Sequence, residues 1–300
     1  MSIRARRTAL SVAILGCGLV AVSSAPAEER SADERLARLR SRFATVDGIR
    51  VHYKDAGKGR DAVVFVHGWS CDLSFWRFQV PDFEGRAHLI LVDLPGHGKS
   101  DKPQVAYSPD LFARALDAVL RDAGAERAVL VGHSNGTPVI RQFYRLFPGR
   151  TRALVIVDGG LRPFWKDRAQ FDSFVARFRG SDYRAQAGQL IDGMTATTRA
   201  ELREGIKAIM LSTPQHVMIS SFAEIGDARL WEADPIKVPV LMVLAKQPFW
   251  SEEYEAFVRG LIPDLDYHVM DGVSHFLMMD KPDAFNALLA GFLKKQGLLK

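Results

Sequence analysis

Six apolar runs constrain this chain more than anything else in it. Residues 62–66, 89–92, 128–131, 154–157 and 240–244 are continuous and rich in Val, Leu and Ile, and 267–270 is a shorter run. Unbroken runs of this kind predict strands buried on both faces, as in a parallel sheet covered by helices. Between them, residues 109–123 place Leu111, Phe112, Ala115, Leu116, Val119 and Leu120 at helical spacing. Residues 137–147 and 284–294 also have helical spacing, and Pro138 is compatible with a first helical turn. Residues 43–46 and 49–53 flank Asp47-Gly48 and read as a hairpin. This alternation implies an α/β fold of three layers, a mostly parallel central sheet flanked by helices.

One region breaks the rhythm. From about 161 to 232 there is no β-branched run, and helical stretches are expected near 170–179, 183–194, 199–211 and 214–225. The return to a strand near Val238 predicts an inserted helical lid over the carboxyl edge of the sheet, where open α/β sheets bind ligands. Residues 28–42 are short and charged, and read as a linker or a solvated short helix, with the folded domain expected over 43–300.

The amino-terminal residues have a different character. Arg4, Arg6 and Arg7 precede an apolar stretch over 8–22, and Ala25-Pro26-Ala27 offers a small-residue cleavage site. This layout reads as a secretory signal peptide spanning 1–27, too short in its apolar part for a comfortable membrane span. The expected location is periplasmic or extracellular. Arg6-Arg7 fits twin-arginine export loosely, and Ile14-Leu15-Gly16-Cys17 offers the alternative of a lipoprotein anchored through Cys17. Cleavage removes three arginines and no acid, lowering the net charge from +5 to +2. The basic balance therefore makes no case for nucleic-acid binding. It also leaves Cys71 as the only thiol, so no internal disulfide can form.

Gly132-His133-Ser134-Asn135-Gly136 follows the run at 128–131 and precedes a helical segment. In that context G-x-S-x-G reads as a strand-to-helix turn that exposes a serine hydroxyl, with Ser134 as nucleophile. The helix behind it turns free N–H groups toward negative charge forming there. No H-E-x-x-H, C-x-x-C or G-x-x-x-x-G-K-[ST] occurs, so no metal and no cofactor is implied.

Four motifs together make residues 43–297 resemble the α/β-hydrolase superfamily. They are His67-Gly68-Trp69, the run from Asp93 to Ser100, the Gly132–Gly136 turn, and Gly272-Val273-Ser274-His275-Phe276. The resemblance implies that His275 is the base that activates Ser134. It implies an oxyanion hole from the backbone N–H groups of Trp69 and Asn135, and a structural role for Asp93. The acid departs from the common pattern. After 240–244 the chain reads Ala245-Lys246-Gln247-Pro248-Phe249-Trp250, with no carboxylate at the usual place. A second location known in the superfamily follows the preceding strand, where Asp158 stands. Glu252 and Glu253 remain the alternatives.

A serine at this turn points to esters, thioesters, lactones, activated amides or carbon–carbon cleavage of diketones, with a small-molecule partner. Residues 161–232 hold ten Lys/Arg and nine Asp/Glu, a balance that argues against strongly charged substrates. Phe164, Trp165 and Trp250 are expected to line an apolar pocket. The leading expectation is an exported, cofactor-free carboxylesterase acting on small or medium neutral esters. A lactonase or C–C bond hydrolase on the same residues is the second. A non-catalytic binding protein of the same fold is the third, favoured only by the missing acid.

Overall fold

The structure, a computed structural model, describes residues 27–299. The signal-peptide and Cys17 expectations lie outside the described residues, apart from Ala27 itself. The chain runs α1 (Ala27–Arg38), β1 (Arg40–Val46), β2 (Ile49–Ala56), β3 (Asp61–Val66), α2 (Val80–Phe83), β4 (His88–Val92), α3 (Pro109–Ala123), β5 (Arg127–His133), α4 (Gly136–Leu146) and β6 (Thr151–Val157). It continues with α5 (Arg168–Ala176), α6 (Tyr183–Met194), α7 (Ala200–Ser212), α8 (Gln215–Ala223), β7 (Val240–Ala245), α9 (Glu252–Leu261), β8 (Leu265–Met270), α10 (Leu277–Asp280) and α11 (Pro282–Lys295).

The eight strands form one sheet in the order β1-β2-β4-β3-β5-β6-β7-β8. The β1–β2 and β2–β4 pairs are antiparallel, and every pair from β4 to β8 is parallel. Asp47 and Gly48 both have positive φ, 49° and 79°, the geometry of a tight hairpin turn that follows strand twist. Within each run, successive side chains enter opposite cores. Ala62, Val64 and Val66 pack with α3, α4 and α9 on one face, whereas Val63 and Phe65 pack with α1, α2 and α11 on the other. Each such buried Val, Leu or Phe contributes about 1.5–3 kcal/mol, so two covered faces explain why the runs carry no polar alternation.

The start of the fold corrects the sequence reading. β1 begins at Arg40 rather than Phe43, because the ladder with β2 extends to Arg40 opposite Asp55. α1 is no free solvated helix. Ala32, Leu36 and Leu39 are buried, and Glu29 lies 3.0 Å from both Arg77 and Arg199.

Helices α5 to α8 fill the interval between β6 and β7, and both ends of this insertion are gathered by α4. The buried Arg141 donates to Leu161 O at 3.2 Å, to Glu232 O, and to Asp234 Oδ1 at 2.7 Å. Arg145 adds donors to Arg229 O, Leu230 O and Glu232 O at 3.1–3.2 Å and to the Asp234 carboxylate. Of these acceptors Leu161 O is buried, and without Arg141 it would lack a donor. The helix that starts just after Ser134 thus also fixes the insertion.

Candidate active site

Ser134 sits where β5 gives way to α4, with φ of 52°. A serine in the left-handed region carries strain of about 1–3 kcal/mol, held only by over-determined surroundings. Those surroundings are visible. Ser134 N–H donates to Val157 O at 2.9 Å, and Ser134 O accepts from Thr137 N–H at 2.9 Å. A Cβ at Gly132 would lie 2.7 Å from Gly136 O, and one at Gly136 would lie 2.8 Å from Val66 O. The turn closes only with glycine at both positions.

His275 lies in the loop between β8 and α10, and Asp158 directly follows β6 with φ of 43°. The structure brings them together: His275 Nδ1 and Asp158 Oδ2 are 2.6 Å apart. A carboxylate accepts, so Nδ1 carries the proton and Nε2 offers a lone pair. The other oxygen of Asp158 accepts from Ala245 N–H at 2.9 Å and from Trp250 Nε1–H at 3.1 Å. At the end of β7, where the superfamily commonly has its acid, this chain supplies donors to Asp158 instead. Glu252 and Glu253 are exposed in the first turn of α9, and Glu253 pairs with Arg162 at 2.9 Å.

His133 has a role that sequence reasoning missed. Its Nε2–H donates to the backbone oxygen of His275 at 2.8 Å, and the two rings are 4.7 Å apart. Burial pushes the His133 imidazole well below its ordinary range, and the neighbouring His275 adds to this. A neutral ring therefore braces the His275 loop against the serine turn. From the insertion side, Met194 O accepts from His275 N–H at 3.2 Å.

The His67-Gly68-Trp69 segment follows β3 and passes beside the serine. A Cβ at Gly68 would lie 3.1 Å from both Ser134 Cβ and His133 Nδ1. His67 Nδ1–H donates to Gly68 O at 2.8 Å while Nε2 accepts from Leu94 N–H at 3.1 Å, so the buried ring holds the loop as a neutral spacer. Trp69 Nε1–H donates to Met218 O at 3.0 Å, and its ring stacks on Phe222 at 4.3 Å, joining this loop to α8. Among the described residues, neither Trp69 N–H nor Asn135 N–H donates to another backbone carbonyl in the turns and loops. Two uncommitted N–H groups beside the serine form the kind of arrangement that stabilises a developing oxyanion.

Ser134, Asp158 and His275 border one cavity of about 1030 Å³ at the carboxyl ends of the strands. Of the expected pocket aromatics, Phe164 and Trp250 line it. Trp165 is not in the lining: its ring packs 4.3 Å from Phe171 and 5.5 Å from Trp231, inside the aromatic cluster of the insertion. Cys71 is also in the lining, but burial raises its thiol well above the ordinary value, which leaves it a poor nucleophile. Among the described residues no cluster of His, Cys, Asp or Glu could hold a metal ion, and no helix is long and apolar enough to cross a membrane.

Comparison with known proteins points one way. Residues 63–288 match the profile of the alpha/beta hydrolase family. The chain is 29% identical over 279 residues to a 2-hydroxy-6-oxononadienedioate/2-hydroxy-6-oxononatrienedioate hydrolase of Paraburkholderia phymatum, covering 82% of this chain and 91% of that one. A solved enzyme described as degrading N-acyl homoserine lactone superposes with a TM-score of 0.71 at 29% identity, covering 84% of this chain and 100% of that one. A thermophilic esterase from Thermogutta terrifontis superposes with a TM-score of 0.75 at 23% identity, covering 86% and 99%, a likeness of fold.

Proposed function

This chain belongs to the alpha/beta hydrolase family, and on that premise we propose that it is a serine hydrolase cleaving carboxylic esters through an acyl-enzyme on Ser134. The observation that carries the reading is the 2.6 Å hydrogen bond from His275 to Asp158 at the rim of the cavity that Ser134 enters. In the proposed reaction, Ser134 Oγ attacks the ester carbonyl and His275 Nε2 takes the hydroxyl proton. Asp158 keeps Nδ1 protonated and stabilises the imidazolium. The carbonyl oxygen becomes an oxyanion facing Trp69 N–H and Asn135 N–H. Collapse breaks the ester C–O bond, and His275 returns the proton to the leaving alcohol. Water, deprotonated by the same imidazole, then releases the acid and restores Ser134.

The apolar lining around Trp69, Phe174, Phe222 and Trp250 suits an apolar acyl chain. A lactone or a C–C bond is the second reading, favoured by the names of the two relatives at 29% identity. The basic start, apolar stretch and Ala25-Pro26-Ala27 of the sequence support an exported enzyme.

The test is hydrolysis of short-chain and medium-chain p-nitrophenyl esters by the chain from Glu28 and by its Ser134→Ala variant. Turnover in the first and a loss of about 10⁴-fold or more in the second is the expected result. Equal turnover in both would remove Ser134 from the chemistry.

A further inference from the structure

The charges of the insertion nearly cancel over its whole surface, but they do not cancel at the cavity. Three side chains bring formal charge to its wall: Asp158, Arg162 and Arg177. Asp158 is committed to His275, Ala245 N–H and Trp250. Arg162 is neutralised by Glu253 at 2.9 Å and lies over the Tyr254 ring. Arg177, at the carboxyl end of α5, is different. Its hydrogen bonds, 3.2 and 3.3 Å long, go to the neutral side-chain oxygen of Gln186. The carboxylate close at hand, Asp182, accepts from the Gln186 amide instead. Arg177 thus lines the cavity while its guanidinium is bonded only to a neutral acceptor.

The surroundings say what would meet it. The wall supplied by α5, α6 and α7 is apolar through Phe174, Leu190, Met194 and Met210, with the amide of Gln189 in the same lining. The wall bearing Phe164 and Phe249, respectively 66% and 59% exposed, opens toward solvent and suits departure of an alcohol. A chain lying along the first wall needs apolar length and a terminal anion, since a planar guanidinium pairs with a carboxylate through two parallel hydrogen bonds.

We propose that the acyl chain of the substrate runs beneath α5 and α6 and ends in a carboxylate held by Arg177, so that half-esters of dicarboxylic acids are favoured over simple fatty esters. This rests on the serine-hydrolase reading for the bond that is cleaved. It also revises the neutral substrate expected from the charge count, which averaged the outer surface with the cavity wall. Because Arg177 is exposed, the preference is modest and screened by salt.

The experiment compares p-nitrophenyl hydrogen adipate with p-nitrophenyl methyl adipate, which differ only in the free terminal acid. The readout is the ratio of their kcat/KM values in wild type, Arg177→Gln, Arg177→Lys and Arg162→Gln. Wild type is expected to prefer the acid by about fivefold, less at high salt, with the ratio near one in Arg177→Gln and partly kept in Arg177→Lys. A wild-type ratio near one, a ratio unmoved by Arg177→Gln, or a ratio lost in Arg162→Gln alone overturns the assignment. Tryptophan fluorescence of Ser134→Ala, titrated with monomethyl and dimethyl adipate, reads the same preference without turnover. Selective binding of the acid there, lost on adding Arg177→Gln, upholds the subsite even if ester hydrolysis fails; equal binding overturns it.

Discussion

Asp158→Asn is expected to lower kcat by about 10⁴-fold while leaving the folded state in place. The asparagine oxygen can still accept from Ala245 N–H and Trp250 Nε1–H, so the loop after β6 keeps its anchor. Its amide then faces His275 Nδ1 as a donor and forces the proton to Nε2, the nitrogen that must accept from Ser134. Glu252→Gln is expected to leave turnover unchanged, because that side chain is exposed on α9. Steady-state kinetics with thermal melts on both variants decide the matter. A crippled Glu252→Gln beside an active Asp158→Asn would assign the acid to the wrong strand end.

The second large effect is on stability. Asp93 is buried and accepts from His52 Nδ1–H at 2.7 Å, Leu73 N–H at 2.8 Å and Lys99 N–H at 2.9 Å. Asp93→Ala leaves the buried donors of His52 and Leu73 without an acceptor, and the Lys99 N–H at the edge of the cluster loses its partner, at a cost of about 3–5 kcal/mol. That is a large share of the roughly 5–15 kcal/mol that holds a typical domain together. Burial alone would raise the Asp93 carboxyl, but the donors from His52, Lys99 and Leu73 outweigh it and hold it below 3.8.

The sign of the pH dependence follows. Folded Asp93 binds fewer protons than unfolded Asp93, so its contribution is complete above pH 3.8 and is lost as pH falls through the lower folded value. His67, His97 and His133 act in a different window. Burial first of all holds each below 6.5, His97 down to about 3. Unfolding lets them protonate, so their contribution is full above pH 6.5 and declines below it. Wild-type stability should therefore begin to fall near pH 6.5 and fall further below 3.8, and Asp93→Asn should lose only the second component. Urea midpoints across pH measure this. A midpoint within experimental scatter of wild type for Asp93→Ala would show the buried cluster to be dispensable.

The strands were legible because burial on both faces leaves continuous apolar runs, and α3 was legible to the residue because its apolar stripe is complete. Ser134, Asp158 and His275, which border one cavity, each stand at a strand end or in a short motif, where local sequence has positional meaning. What could not be read was long-range pairing. Trp250 donates to Asp158 across 92 positions, and His133 to His275 O across 142. Arg141 reaches Asp234 across 93. Nothing in the local pattern around these residues marks a partner so far along the chain. α1 was underrated for the same reason, since its anchors Arg77 and Arg199 belong to distant segments. Trp165 was placed in the pocket on residue type alone, and residue type does not tell a cavity wall from a packed cluster.

An activated serine at the β5–α4 turn should react covalently with an electrophilic phosphorus reagent. The direct measurement is exposure of the protein to a fluorophosphonate probe, followed by intact mass and peptide mapping. One adduct is expected, on Ser134, absent from Ser134→Ala and formed far more slowly in His275→Ala. An adduct mapped to another residue, or ester turnover that persists in an enzyme the probe leaves unmodified, would contradict it.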